Sequence, residues 1–282
     1  MLITSLLLSL LVSTDWLDQH RSGPLTVVVE VGSRADYDAG HIPGARFIAR
    51  EEIVADCDGL PNELTATETI VGAFERAGVG DLKLIVIYSR DPLLATRTWF
   101  TLDYLSHGAR AAVLDGGWQK WTLEKRETST VAPFVKAAPF TVADRPYSVV
   151  KFAGVSDLVR RRGTLPEKLV LIDARPSLFF SGEMRGAGIR RAGHIPDAVN
   201  TPWTANLATT DPPVLRSTAE LQQLYASAGL TRDAIVIAYC RTGMEASMTY
   251  FVLRYLGYDV SLYDGSFIEW SAAKGTSVAS AE

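Results

Sequence analysis

The 282-residue chain is poor in cysteine and histidine, and this scarcity excludes several classes of protein. Cys57 and Cys240 are the only cysteines, too few for a disulfide framework. The four histidines lack the spacing of a zinc enzyme, so we expect neither a metal nor another cofactor. Basic residues are not in excess either. The net charge of −4 argues against nucleic acid as the main partner.

Long hydrophobic runs are also missing. The apolar start, Leu2–Val12, is too short to span a bilayer as a helix, so no membrane contact is expected. It has the length of a signal-peptide core but lacks a basic start and a clear cleavage site. We therefore expect a cytoplasmic protein. Export to the periplasm is the alternative if Leu2–Leu10 belongs to a leader.

The rest of the composition is that of a globular protein, with 47% hydrophobic and 21% charged residues. Four motifs recur in the same order in the two halves, about 150 residues apart, which predicts duplicated domains. The pairs are Val27–Arg34 with Leu169–Arg175, Ala39–Ala45 with Ala192–Ala198, Leu84–Arg90 with Ala234–Arg241, and Leu114–Trp118 with Tyr263–Phe267.

Short apolar runs alternate with helical patterns in each half. This alternation predicts an α/β fold in which a parallel sheet is flanked by helices on both faces. In the second half we predict strands near 169–173, 198–200, 235–239 and 260–263, and helices near 154–162, 217–228 and 245–256. The predicted domains are 11–126 and 150–276, joined by a proline-containing linker at 127–149.

Cys240 stands at the end of a β-branched run and before a helical segment. Backbone amides at such a turn, and the positive end of the helix, stabilise a negative charge on sulfur. Together with Arg241 they predict a lowered pKa for the Cys240 thiol. Gly243 is predicted to adopt a backbone conformation that disfavours residues with a Cβ.

The AGHIPxA motifs, the Asp173–Arg175 motif and the strand–cysteine loop make the chain resemble the tandem-domain rhodaneses. This family comprises the thiosulfate and 3-mercaptopyruvate sulfurtransferases. The resemblance extends from about Leu11 to about Trp270. It implies two rhodanese-like domains, of which the C-terminal one is catalytic. The N-terminal one is expected to be silent, because Ser89 stands where the other has Cys240.

The implied reaction moves sulfane sulfur from thiosulfate to cyanide or a thiol acceptor, through a persulfide on Cys240. Two alternatives stay open. The donor could be 3-mercaptopyruvate, or the chain could be a persulfide carrier that acts on a protein partner such as a thioredoxin-like protein. We expect a monomer.

The resemblance also implies roles for residues around Cys240. Three residues are assigned structural roles near the site: Asp173, Arg175 and His194. The substrate-binding residues are the rest of the loop and one arginine upstream: Arg241, Thr242, Gly243, Met244, Glu245 and Arg191.

The chain departs from the thiosulfate-type pattern at two positions. Thr242 stands where a lysine is common, and Phe179 or its neighbours stand where an arginine is usual. Arg191, or alternatively Arg185 or Arg190, could supply the missing charge. Glu245 is unusual for an anion site and either faces solvent or favours a different donor or acceptor.

A phosphatase function and a catalytic role for the second cysteine are both disfavoured. Rhodanese domains resemble phosphatases with a Cys-x5-Arg loop, whose arginine grips phosphate, but here that position is Ala246. Cys57 lies in a loop-like stretch with no helix start behind it, so we expect it to be structural or incidental.

Overall fold

The computed structural model describes residues 9–81, 83–143 and 146–280. The chain divides into two compact units, with the main break at Pro146. Two short segments do not belong to the unit that surrounds them in the sequence. Val54–Thr65 belongs to the second unit and Asp211–Val214 to the first. The boundaries 11–126, 127–149 and 150–276 stay a prediction. Most of the apolar segment Leu2–Leu10 lies outside the described residues.

The first unit is built on a five-stranded parallel sheet in the order β1-β7-β6-β2-β3. Its strands are β1 (Leu11–Val12), β2 (Thr26–Gly32), β3 (Arg46–Ala49), β6 (Leu84–Tyr88) and β7 (Ala111–Leu114). Its helices are α1 (Thr14–His20), α2 (Arg34–Ala39), α3 (Thr67–Arg76), α4 (Pro92–Tyr104) and α5 (Gly117–Leu123).

The second unit repeats this plan with the strand order β10-β9-β13-β14-β8, also parallel. The strands are β8 (Val149–Val150), β9 (Leu169–Asp173), β10 (Val199–Asn200), β13 (Ile235–Tyr239) and β14 (Ser261–Tyr263), with the antiparallel hairpin β4 (Val54–Cys57) and β5 (Leu60–Leu64). The helices are α6 (Phe152–Arg161), α7 (Ser177–Ser181), α8 (Thr218–Ser227), α9 (Met244–Tyr255) and α10 (Ser266–Ala272). Two further short strands are β11 (Leu207–Thr210), in the second unit, and β12 (Pro213–Leu215), most of which lies in the segment that belongs to the first unit.

The central strand of each sheet is a buried apolar run, as expected for parallel strands covered by helices. The strand register is the same in both units: Glu30 of β2 lies opposite Tyr88 of β6, and Asp173 of β9 lies opposite Tyr239 of β13. The predicted α/β class, the duplication and the elements of the second half are therefore confirmed. This register places Ser89 and Cys240 at equivalent strand ends.

None of the helices among the described residues is long and apolar enough to cross a membrane.

Candidate active site

Cys240 lies directly after β13 and is completely buried. Its backbone amide anchors the start of the loop, since Cys240 N donates to Ser266 Oγ at 3.2 Å. Gly243 precedes α9 with φ of +84°, a left-handed conformation that glycine adopts without a Cβ penalty. The prediction for Gly243 is therefore confirmed. The four residues from Cys240 to Gly243 form a tight loop, which places the first turn of α9 next to the sulfur.

The pKa of the Cys240 thiol differs from the sequence prediction. Burial and the charge of Glu245 raise it to about 12, while hydrogen bonds from the amides of Ala246 and Thr242 lower it only in part. The predicted amides are present, but the prediction of a lowered pKa is wrong. Desolvation of a fully enclosed thiolate outweighs two amide hydrogen bonds.

Asp173 and Arg175 form a buried ion pair beside the loop. Arg175 Nε donates to both carboxylate oxygens of Asp173, at 2.9 and 3.0 Å. Arg175 Nη2 also donates to the carbonyl of Gly193 at 2.8 Å, and the guanidinium lies 4.1 Å from the ring centre of Phe267. Because Nε and Nη2 of this arginine are engaged by protein groups, the pair fixes the end of β9 next to Cys240.

A cavity of about 260 Å³ lies within the second unit at this loop. Both Arg241 and Glu245 line this cavity. Of the two alternatives for Glu245, the structure therefore places it at the cavity and not at an open surface. Arg241 Nη1 donates to the Ala187 carbonyl at 3.3 Å, which directs the guanidinium along the wall. Phe179, at the position where the resemblance implies an arginine, is an apolar part of the same wall. The full lining is Arg175, Pro176, Phe179, Gly186, Ala187, Ile189, Arg241 and Glu245.

Arg191 is not at this cavity. Its guanidinium is held by backbone carbonyls at and beyond the end of α10: Ser271 at 2.9 Å, Trp270 and Ala273 at 3.0 Å each, and Thr276. Each of its three guanidinium nitrogens donates to at least one of these oxygens, which holds the side chain away from the cavity. The assignment of Arg191 to substrate binding stays a prediction, and the geometry at this cavity does not support it. Arg185 and Arg190 are exposed and do not line the cavity either.

Thr242 is buried in the loop and is held from a distant part of the sequence. Asn62 of the β4–β5 hairpin donates from Nδ2 to Thr242 Oγ1 at 3.1 Å. The hairpin is anchored nearby, because Leu64 N donates to Asp264 Oδ2 at 3.1 Å. Asn62 is not among the site residues predicted from the sequence. No local motif marks it, and it lies 180 positions from its partner.

Met244, the first residue of α9, is half-buried. Cys57 is a free, half-buried cysteine in β4, and its sulfur lies 3.9 Å from the Leu64 carbonyl. Thus the described geometry gives Cys57 a contact within its own hairpin.

His194 is held by the fold. Its Nδ1 lies 2.8 Å from the Phe180 carbonyl, and its ring stacks on Phe180 at 3.7 Å. His41 in the first unit has the same arrangement with Tyr37, at 2.8 and 3.9 Å. The two histidines have the same environment, although the first unit has Ser89 where the second has Cys240. This shared environment supports a structural role for both histidines.

Comparisons with known proteins agree with this architecture. A family model described as the rhodanese-like domain matches residues 13–124 and again 156–273.

The described residues contain no group of three or more His, Cys, Asp or Glu side chains able to hold a metal ion.

Several named proteins are similar over most of their length. A sulfur carrier protein, TtuD, of Thermus thermophilus is 32% identical over 96% of this chain and 97% of that protein. A 3-mercaptopyruvate sulfurtransferase of Escherichia coli K12 is 30% identical, with 93% and 94% covered. A thiosulfate sulfurtransferase of Corynebacterium glutamicum is 32% identical, with 92% and 87% covered. The crystal structure of SseA from Escherichia coli, a 3-mercaptopyruvate sulfotransferase by its description, matches with a TM-score of 0.78 at 29% identity, covering 92% of this chain and 99% of that one.

Proposed function

We propose a nucleophile and a donor for this chain, which belongs to the rhodanese family and is a sulfurtransferase. Cys240 attacks the outer sulfur of thiosulfate, keeps it as a persulfide and passes it to cyanide or to a thiol. The observation that carries the proposal is the cavity at the Cys240 loop, where the guanidinium of Arg241 faces the space that a small anion would enter.

The reaction is covalent ping-pong catalysis. The thiolate of Cys240 forms a bond with the outer sulfur of thiosulfate, and the bond to the sulfite group breaks with its electron pair leaving on sulfite, so Cys240 becomes a persulfide anion. The acceptor then attacks the outer sulfur of the persulfide and releases Cys240. A cationic side chain at the cavity favours a dianionic donor, because a charge-assisted hydrogen bond is about twice as strong as a neutral one.

The experiment is steady-state sulfur transfer to cyanide with thiosulfate and 3-mercaptopyruvate as donors. Cys240→Ser is the control. A higher kcat/KM for thiosulfate that is lost in the variant is the expected result. A preference for 3-mercaptopyruvate would contradict the proposed donor and leave the nucleophile in place.

The mercaptopyruvate alternative has one observation in its favour. Phe179, rather than an arginine, lines the cavity, so this wall is less cationic than the thiosulfate-type pattern implies. A carbon-containing donor would contact this ring, whereas thiosulfate gains nothing from it.

Persulfide transfer to a protein partner is the other alternative, and one relative is named as a sulfur carrier. Fast sulfur transfer to a thioredoxin-like protein, with slow turnover on every small acceptor, would favour it over the proposed reaction.

A further inference from the structure

We propose that the cavity at the Cys240 loop receives an amino-acid thiol, such as cysteine, as the sulfur acceptor, and that Glu245 selects it by binding its ammonium group. Arg241 binds the carboxylate of the same molecule. This inference deepens the proposed function, because it names the class of thiol that takes the sulfur. It rests on Cys240 as the persulfide carrier.

Two side chains of opposite charge line the cavity without pairing with each other. Arg241 and Glu245 both contribute to its wall. In the part of the chain that the structure describes, no ion pair joins Glu245 to a lysine, an arginine or a histidine. The guanidinium of Arg241 donates instead to the Ala187 carbonyl, from Nη1 at 3.3 Å. The cavity therefore presents a positive and a negative group at the same time.

The missing partner of Glu245 is what a ligand would supply. Glu245 is half-buried, and a charge removed from water without a counter-ion costs free energy. Arg175 also lines the cavity, but it is already paired with Asp173 and with the Gly193 carbonyl. An ammonium group that enters the cavity would therefore be the counter-ion of Glu245, and Arg241 would hold a carboxylate beside it.

The remainder of the cavity fits the carbon atoms of a small amino acid. Its volume of about 260 Å³ lies below the roughly 300–1,000 Å³ of pockets for drug-sized ligands, so the molecule it holds is small. Pro176, Phe179 and Ile189 form an apolar part of the wall, where methylene groups would pack. Thiosulfate and cyanide have neither methylene groups nor a positive charge, so they leave this wall and Glu245 unused.

Covalent ping-pong catalysis allows donor and acceptor to use one cavity in turn. Arg241 directly follows Cys240 in the loop, so a molecule held by its guanidinium lies at the loop that carries the sulfur. Arg241 would first face thiosulfate and then, once sulfite has left, the carboxylate of the acceptor. Glu245 repels a dianionic donor, so the donor step gives no reason for a carboxylate here. The acceptor step does.

Atoms and charge balance in the transfer step. The acceptor thiol gives its proton to the Cys240 persulfide anion and becomes a thiolate. That thiolate attacks the outer sulfur, a new sulfur–sulfur bond forms to the acceptor, and the bond to Cys240 breaks with its electron pair on Cys240. The products are a protonated amino-acid persulfide and the Cys240 thiolate, so no oxidant or reductant is needed.

The test follows sulfur transfer from the loaded protein to acceptors that differ by one group. Cys240 is loaded with thiosulfate, or with inorganic polysulfide as a second reagent, and the protein is separated from the excess. The single-turnover rate is then measured with three thiols. They are cysteine, 3-mercaptopropionate, which lacks the ammonium group, and cysteamine, which lacks the carboxylate.

The variant Glu245→Gln is compared with the wild type and with a matched control. Glu68 is also the second residue of a helix, α3, but is exposed, so Glu68→Gln makes the same chemical change away from the site. Because each thiol is compared between proteins, its intrinsic reactivity cancels.

In Glu245→Gln we expect transfer to cysteine and to cysteamine to fall about ten- to a hundredfold, the usual loss for a hydrogen bond to a charged group. Transfer to 3-mercaptopropionate should not fall, and loading by thiosulfate should be as fast as in the wild type or faster, because a repelling charge is gone. A merely structural role predicts slower reactions with every donor and acceptor. Glu68→Gln should behave as the wild type. An equal loss with cysteine and 3-mercaptopropionate, or no loss with cysteine, overturns the proposal.

A binding measurement separates this inference from the proposed function. L-Serine has the groups of cysteine with a hydroxyl in place of the thiol, and 3-hydroxypropionate lacks the ammonium group. Isothermal titration calorimetry on the unloaded protein should show about tenfold tighter binding of L-serine, and Glu245→Gln should remove this difference. If neither reagent loads Cys240, the proposed function fails, while the calorimetry still decides the role of Glu245. Equal affinities for the two ligands in the wild type contradict that role.

Discussion

Arg90 in the first unit occupies the position that Arg175 occupies in the second. Arg90 Nη2 donates to the Gly40 carbonyl at 2.6 Å, its guanidinium lies 4.4 Å from the ring of Trp118, and its Nε lies 3.6 Å from Glu30. Arg175 makes the matching contacts with Gly193, Phe267 and Asp173.

The two arginines come from different places in the repeat. Arg175 follows β9, whereas Arg90 follows Ser89 and is therefore the counterpart of Arg241. The loop arginine of the first unit thus points inward and is used by the fold. This leaves the described part of the first unit without an equivalent of the outward Arg241, which is consistent with the prediction that this unit is silent.

Ser89→Cys should not restore a sulfur site in the first unit. The turn after Ser89 has Asp91 as the cap of α4, and its carboxylate accepts from Leu93 N at 2.9 Å. Ala95 N, at the position that Ala246 N has in the second unit, donates to the Asp91 carbonyl at 3.2 Å, so this amide is already used within the helix. In a Cys240→Ser background, mass spectrometry after thiosulfate treatment should find no persulfide at position 89. Efficient loading there would show that the residue type alone silences this unit.

Arg241→Ala should weaken donor recognition and leave the fold intact. Loss of a hydrogen bond from a charged group costs about 1.5–3 kcal/mol, so KM for thiosulfate should rise about ten- to a hundredfold. Arg241 makes one backbone contact, at 3.3 Å, so the melting temperature should change little. Arg241→Lys, which keeps the charge, serves as the control and should recover part of the affinity. An unchanged KM removes Arg241 from donor binding.

Asn62→Ala should impair the loop through Thr242. The variant loses the neutral hydrogen bond to Thr242, which contributes about 0.5–1.5 kcal/mol, and leaves the buried Thr242 hydroxyl without this donor. We expect kcat to fall severalfold, with a loss of about 1 kcal/mol in the free energy of unfolding. The control is Asp58→Asn in the same hairpin, where the exposed turn residue has a φ of +52° that asparagine tolerates. Equal kcat in both variants would show that the hydrogen bond does not shape the loop.

Arg191→Ala should reduce stability rather than donor affinity. The variant deprives four backbone carbonyls of a charged donor, and we expect a loss of about 2–4 kcal/mol in the free energy of unfolding. Urea denaturation measures this loss, and KM for thiosulfate measured on the folded variant should equal that of the wild type. A raised KM without a change in stability would return Arg191 to the binding site.

The α/β class, the duplication and the main strands of the second half could be predicted from the sequence, because periodicity and the repeat are signals contained in the sequence itself. Strand β13, helix α9 and the turn at Gly243 follow from residues adjacent to Cys240. Contacts across long sequence separations leave no such signal. Asn62 beside Thr242 and the clamp around Arg191 are examples. The pKa of Cys240 could not be predicted either, because it depends on the balance between burial and amide hydrogen bonds.

The central claim is that Cys240 carries the transferred sulfur, and one measurement tests it directly. The protein is incubated with thiosulfate, separated from it, and analysed by intact and peptide mass spectrometry, alongside Cys240→Ser and Cys57→Ser. We predict one added sulfur atom on the Cys240 peptide in the wild type and in Cys57→Ser, removed by cyanide as thiocyanate, and none in Cys240→Ser. Sulfur on Cys57, or loading and transfer that persist in Cys240→Ser, would contradict the account.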